Sequence, residues 1–330
     1  MDNGWHARPF DWRDLFLVKR LQTQGQVLDY ERAKVDGVAP LRDAIHAYLL
    51  LGAGSRHTLV LPKAGAFVQY IYHKDSKRVR LTYLSPTPTH PDAVNHWVDL
   101  LEQLTAIVGA HGIQHIVAEA SHDGPEIEAL QRAGFGILTR QLLLCRVTQP
   151  AQEDLAPLSG LRPWRPTDDW GLRLLYANTV PQLAQQIEVP IEDALSPSHW
   201  PKRLVLEQGG ELTACLVARQ GRSGNALRLL LHPQADVYVE ALIHHGLSIL
   251  TDGDPRPVYC RIRRYESWLQ APLEANGFEP VVRTALLVKH TTARVQAPKP
   301  HLVPLVEVRP KMTTPVAHTR LSRSTGTDHK

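Results

Sequence analysis

The sequence predicts an α/β (α+β) chain of two tandem, related halves, each a mixed, mostly antiparallel sheet with helices on both faces. Three observations carry that prediction. The first is an internal repeat: Leu130–Leu144 aligns without gaps on Leu273–Leu287 at a constant offset of 143 residues. Both copies run from an apolar helix through Gly-Phe (Gly134-Phe135, Gly277-Phe278) into an apolar strand carrying one arginine, Arg140 or Arg283. The second is that the same order of patterns precedes each copy. The third is length: 330 residues exceed what one hydrophobic core usually fills, and 43% apolar with 21% charged residues is ordinary globular material.

In the first half, the patterning predicts helices over 11–22 and 41–51. Strands follow at 57–61, 66–73 and 78–85, with a turn at Lys74-Asp75-Ser76. Val94, Trp97, Val98, Leu101, Leu104, Ile107 and Val108 recur at helical spacing, so a long amphipathic helix spans 91–111. A strand over 113–120, a helix over 125–133 and a strand over 135–147 complete the half. The second half repeats this with a helix from Thr167 and strands at 202–207, 212–219 and 226–231. A long helix over 234–250, a strand over 258–263, a helix to Asn276 and a strand from Phe278 to Val288 follow. Arg8-Pro9 and Arg162-Pro163, each leading into an acidic, Trp-containing stretch, give a weaker match upstream. The expected layout is residues 1–148, a Pro-rich linker at 149–160, residues 161–290, and a flexible basic tail at 291–330.

The formal charge is +4, but the tail alone carries seven Lys/Arg against Glu307 and Asp328, so the other 290 residues sum to −1. A near-neutral body argues against a dedicated nucleic-acid footprint and leaves the tail as the one basic segment. Cys145, Cys215 and Cys260 are odd in number and widely spaced, which fits buried thiols in a reducing compartment rather than a disulfide framework. The first ten residues contain no apolar signal core, and the apolar run around 47–51 is too short to span a bilayer, so a cytoplasmic location is expected.

The order β-α-α-β-β-β-α-β-α-β, with a helix ending in Gly-Phe before the last strand of each half, resembles the GNAT (Gcn5-related N-acetyltransferase) fold. The resemblance covers both halves and implies a bacterial-type acyltransferase that takes acetyl-CoA as co-substrate and a small-molecule or peptide amine as acceptor, with no metal and no membrane. In that family the cofactor lies where the fourth and fifth strands part, its pyrophosphate on N–H groups at the start of the long helix. The matching turns, Thr87–Asp92 and His232–Val237, contain no glycine; Pro88 and Pro91 remove donors, and Asp92 and Asp236 place carboxylates there. The family's tyrosine acid falls on Leu130 and Leu273, and its asparagine on Asp123 and Glu266.

Carried over residue by residue, the resemblance assigns Leu84, Ser85, Thr87, Leu231 and His232 to cofactor binding. Arg261 and Arg263 alternate on a strand and could form an anion pocket in place of the missing turn. Arg80 and Arg228, at matching places in the two fourth strands, are candidates of the same kind. Glu119, near the end of the fifth strand, and Tyr265, beyond Arg263, are the catalytic candidates. The bland reading of these charged residues is ion-paired strand ends. Gly52-Ala53-Gly54 follows a helix, the wrong order for a dinucleotide loop, and Gly221-Arg222-Ser223-Gly224 reads as a hairpin turn. His111, His115, His122, His244 and His245 have no ligand-spaced companions. Two functions therefore compete: an acyl-CoA-dependent N-acyltransferase, and a non-catalytic pseudoenzyme that keeps the scaffold for binding or interaction.

Overall fold

The computed structural model describes residues 6–50, 55–72, 76–89, 91–147, 158–187, 202–251 and 255–291. The 52–54 stretch, most of the linker and the tail beyond residue 291 lie outside the described residues. The first half comprises β1 (Arg8–Pro9), α1 (Leu15–Leu21), β2 (Gln26–Val27), α2 (Tyr30–Asp36), α3 (Pro40–Leu49) and β3 (Arg56–Leu61). It continues through β4 (Ala66–Tyr72), β5 (Arg78–Ser85), α4 (Pro91–Ala110), β6 (His115–Ser121), α5 (Glu126–Arg132) and β7 (Gly136–Arg146). The second half comprises β8 (Leu161–Pro163), α6 (Asp169–Thr179), α7 (Gln182–Ile187), β9 (Lys202–Gln208), β10 (Glu211–Gln220) and β11 (Asn225–Leu231). Then come α8 (Val239–Thr251), β12 (Val258–Arg263), α9 (Gln270–Ala275) and β13 (Glu279–His290).

One sheet runs through both halves in the order β1-β3-β4-β5-β6-β13-β7-β12-β11-β10-β9-β8, with β2 attached to β5. The last strands are exchanged: β13 lies against β6 of the first half, and β7 lies against β12 of the second. In the central β7–β13 pair, Gln141 faces Thr284 and donates to its hydroxyl at 3.4 Å. These two residues differ by the same 143 positions as the sequence repeat, so the local two-fold passes through them. The ladders extend the equivalence outward: Leu286 faces Glu119 as Leu143 faces Arg261, which makes Glu119 and Arg261 counterparts. By the same ladders Arg80 pairs with Val117, whose counterpart Tyr259 pairs with Ala226. Arg80 therefore matches Ala226, not Arg228, which sits two residues further along β11.

Each half has its own core on the long-helix face. Trp97, Leu100, Leu101 and Leu104 of α4 pack on Leu81, Ile116 and Ala118, while Leu242, Ile243, Leu247 and Leu250 of α8 pack on Leu227, Leu229 and Cys260. Gly246 brings α8 close to the sheet, since a Cβ there would lie 2.5 Å from Leu227. Gly134 and Gly277 hold φ of 85° and 79°, the left-handed helix stop expected of the repeated Gly-Phe, and Phe135 and Phe278 are buried behind them. The Arg-Pro likeness is also structural: Arg8 forks Asp14 at 2.7 and 2.9 Å, and Arg162 forks Asp168 at the same distances.

Four elements depart from the expected pattern. The 234–250 helix opens as a 3-10 turn over Pro233–Tyr238 and becomes α-helical only at Val239. The short α7 and the pair β2–α2 were hidden in stretches without a long period. Of these, β2 and α2 matter most for the site.

Candidate functional site

Both halves open where the fourth strand leaves the fifth. In the first half, β5 and β6 run parallel from Arg78/His115 to Arg80/Val117 and then separate; in the second, β11 and β12 run parallel from Asn225/Val258 to Leu227/Cys260 and separate. The first opening is filled by the chain itself. Gln26 and Val27 pair with Leu84 and Tyr83 of β5, the Leu28 N–H donates to Thr82 O at 2.9 Å, and the Glu119 N–H donates to Leu28 O at 2.8 Å. Leu28 thus bridges β5 to β6 just past their last pair, and its side chain is fully buried.

The turn leading into this plug is equally fixed. The Tyr83 hydroxyl donates to Gln22 O at 2.6 Å and accepts the Gly25 N–H at 2.9 Å. A Cβ on Gly25 would lie 2.5 Å from the Tyr83 ring, so only glycine allows this approach. Ser85 Oγ donates to Leu21 O at 2.9 Å, and Thr87 donates from both N–H and Oγ1 to Gln24 O, at 2.6 and 2.9 Å. In the second half, among the described residues, no main-chain group bridges β11 to β12 beyond Leu227 and Cys260.

The face between the two openings carries a buried ionic cluster, built by α2 crossing from the first half onto β11 and β12. Asp29 caps α2 by accepting the Arg32 N–H at 3.3 Å, and Gly37 ends it at φ 77°. Glu31, 2% exposed, accepts from Arg228 Nη2 at 2.7 Å and Nε at 3.1 Å, and meets Arg261 Nε at 3.3 Å. Arg261 also donates to Glu119, which is 1% exposed, lies 3.3 Å from Arg80 Nη1, and accepts the Tyr30 N–H at 3.0 Å. Asp36 pairs with Arg219 at 2.8 Å, and Val35 O accepts the Ser223 and Gly224 N–H groups, so α2 is clamped to the second half at both ends. Tyr30 OH donates to Glu126, which also accepts from Ser121 N and Gln26 Nε2.

Burial works against the charge on Glu31, but Arg228 and Arg261 more than offset it and hold its carboxyl well below the usual range. Burial pushes the Glu119 carboxyl up, against the pull of Arg261 and Arg80. A depressed folded-state value means Glu31 stabilises the fold above its unfolded pKa of about 4.3 and loses that contribution as pH falls below it. Glu119 acts in the opposite sense, so the difference between proteins isolates Glu31. The expected result is that Glu31→Gln lowers the melting temperature at pH 7 and that the gap to the parent protein narrows from pH 5 to pH 3.

The sequence candidates are thus distributed as follows. Leu84, Ser85 and Thr87 lie along the filled first opening, and Glu119 is at its inner end. Leu231 closes β11 opposite Ala214, and the His232 N–H donates to Thr213 O at 2.9 Å while its Nδ1 accepts the Gln234 N–H at 3.3 Å. His232 also lines a cavity of about 590 Å³ on the β10 side of the turn. Arg261 joins the cluster, Arg263 approaches Glu266 at 3.9 Å, and Tyr265 packs against the core cluster that includes Leu172, Leu175 and Tyr176 of α6. Sequence reasoning missed Glu31 and the 22–28 plug. The available signals were Asp29 and Gly37, a cap and a stop eight residues apart, and Gly25 before a short apolar pair.

No family model and no curated protein matches the sequence. Solved structures do. A GCN5-related N-acetyltransferase from Sphaerobacter thermophilus superposes with a TM-score of 0.56 at 9% identity, over 88% of this chain and 97% of that one. The chain has the GNAT fold. A tandem GNAT protein from the clavulanic acid biosynthesis pathway, solved without AcCoA, superposes with a TM-score of 0.55 at 14% identity, over 87% of this chain and 98% of its own. Matches spanning nearly the full length of both chains cover the two GNAT-like halves together. Among the described residues, no helix of this GNAT-fold chain is long and apolar enough to cross a membrane.

Proposed function

We propose that the chain is an acyl-CoA-dependent N-acyltransferase whose cofactor slot is confined to the C-terminal half. The observation that supports this is the unequal filling of the two openings. In the first, Gln26–Leu28 takes up the strand-edge hydrogen bonds of β5 and β6 that an extended pantetheine arm would need. In the second, β11 and β12 part without a described main-chain bridge. Leu231, His232, Arg263 and Tyr265 belong to that second half and stay in the proposal, whereas Arg261 is buried between Glu31 and Glu119 and leaves it. Leu84, Ser85 and Thr87 are engaged by the plug, and Glu119 is sealed by two arginines, so they leave it.

The fit to acetyl-CoA rests on the strand opening rather than on the turn. Pro233 has no N–H, and the 3-10 geometry of Pro233–Tyr238 delays the helix start, so side chains rather than helix-end N–H groups must supply much of the anion binding. The acceptor is a primary amine. The amine nitrogen forms the amide bond, the thioester C–S bond breaks, and the proton released ends on the CoA sulfur.

Calorimetric titration with acetyl-CoA is expected to give one site per chain at micromolar affinity, about −8 kcal/mol. Hydrogen exchange is expected to show protection of residues 229–238 and none of residues 83–89. Protection of 83–89 would overturn the assignment to the second half. No binding at millimolar acetyl-CoA would favour the second reading, a non-catalytic scaffold. One observation supports that rival: the Glu31–Arg228–Arg261–Glu119 cluster sits across the β11–β12 opening and already satisfies its arginines.

A further inference from the structure

The cavity of about 590 Å³ beside the turn after β11 is a departure from the internal symmetry. In the first half, α1 stops after 7 residues and the chain folds back, so that Gln24 binds the turn after β5 through Thr87. In the second half, α6 runs for 11 residues, and it and the equivalent turn both line the cavity. The space is left between α6, the β9–β10 hairpin and residues 232–238. It is within the range of small-molecule sites, roughly 300–1,000 Å³.

Its wall is chemically mixed. Trp170 is 75% exposed and Leu174 42% exposed, and with Leu212 and Tyr238 they supply its apolar and aromatic lining. The polar lining includes Asp168, Glu207 and Glu211, a single guanidinium, Arg162, and the His232 imidazole. That guanidinium is already spent: it forks Asp168 at 2.7 and 2.9 Å and donates to Glu207 from Nε at 3.0 Å and Nη2 at 2.7 Å. Three carboxylates against one cation leave the cavity acidic, which repels phosphate and carboxylate ligands.

We propose that this cavity binds a small organic cation with an apolar or aromatic body, its ammonium group near Glu207 and Glu211 and its body against Trp170. An exposed indole beside carboxylates supplies both cation–π and ion-pair attraction. The site goes beyond acetyl-CoA binding: it shares the 232–238 turn with the proposed cofactor slot, but its indole comes from α6 and Glu207 and Glu211 come from β9 and β10, so it stands whether or not the β11–β12 opening takes CoA.

The test uses the full chain and three isosteric probes: phenethylamine, 2-phenylethanol and phenylacetate. Phenethylamine is expected to bind saturably and to quench the fluorescence contributed by Trp170, identified by difference from Trp170→Phe. The neutral alcohol should bind about tenfold more weakly and the anion not at all. Trp170→Ala and Glu211→Gln, both at exposed positions, should each weaken phenethylamine about fivefold or more while leaving the melting temperature unchanged. Equal binding of phenylacetate, affinity unchanged in both variants, or no saturation by phenethylamine at millimolar concentration would overturn the proposal. Titrating acetyl-CoA into the same variants separates this outcome from that of the cofactor slot, which neither substitution touches.

Discussion

Arg261→Ala is expected to destabilise the protein by about 3–5 kcal/mol, because it leaves carboxylates at the centre of the molecule short of their shared cation. Among the described residues, Glu119 would keep Arg80 and the Tyr30 N–H, and Glu31 would keep Arg228, both carboxylates being nearly excluded from solvent. The loss should register as a lower midpoint in urea unfolding at pH 7. It should be coupled: Arg261→Gln with Glu119→Gln should cost at least about 1 kcal/mol less than the sum of the single changes, since the second removes the charge that the first strands. An Arg261→Ala cost below about 1 kcal/mol would mean that water reaches the cluster and that the pairs are worth no more than surface ones. The cluster also ties the two halves together. Its carboxylates come from α2 and β6 of the first half, and Arg228 and Arg261 come from β11 and β12 of the second.

How much of this was legible in the sequence follows from the range of the forces involved. The 143-residue offset was visible because each copy keeps a helix stop that requires left-handed backbone at Gly134 and Gly277 and a Phe that fills a core, and both constraints are local. The exchange of β7 and β13 was not visible. Two apolar strands with the same alternation can pair with either neighbour, and only the three-dimensional ladder through Gln141 and Thr284 decides which. Arg261 drew notice as half of an alternating Arg pair, but its partners lie 142 and 230 positions away, beyond any periodicity. The plug was hidden for another reason. A two-residue strand such as Gln26–Val27 has no period to detect, and its stability comes from the sheet edges it joins.

Leu28→Pro is expected to be the more damaging of two changes at the plug, with Leu28→Ala as its control. Leu28→Ala keeps the backbone bridge and loses a fully buried side chain, which costs about 2–5 kcal/mol. Leu28→Pro loses the same packing and also removes the N–H that donates to Thr82 O, adding about 1–3 kcal/mol for the acceptor left buried. The difference between the two, read from urea unfolding, therefore measures the hydrogen bond that ties the plug to β5. Hydrogen exchange adds a local readout, because the Glu119 N–H reaches only Leu28 O. In the parent protein that amide should exchange as slowly as the core of β6, and in Leu28→Pro it should exchange faster while Val117 stays protected. If Leu28→Pro matched Leu28→Ala in stability and left Glu119 protected, residues 26–28 would merely lie over the opening. If instead the opening loosens as expected and acetyl-CoA still fails to protect residues 83–89, the first half has lost more than access. Its slot would then be closed by the turn as well, where Pro88 and Pro91 withhold the donors that a pyrophosphate requires.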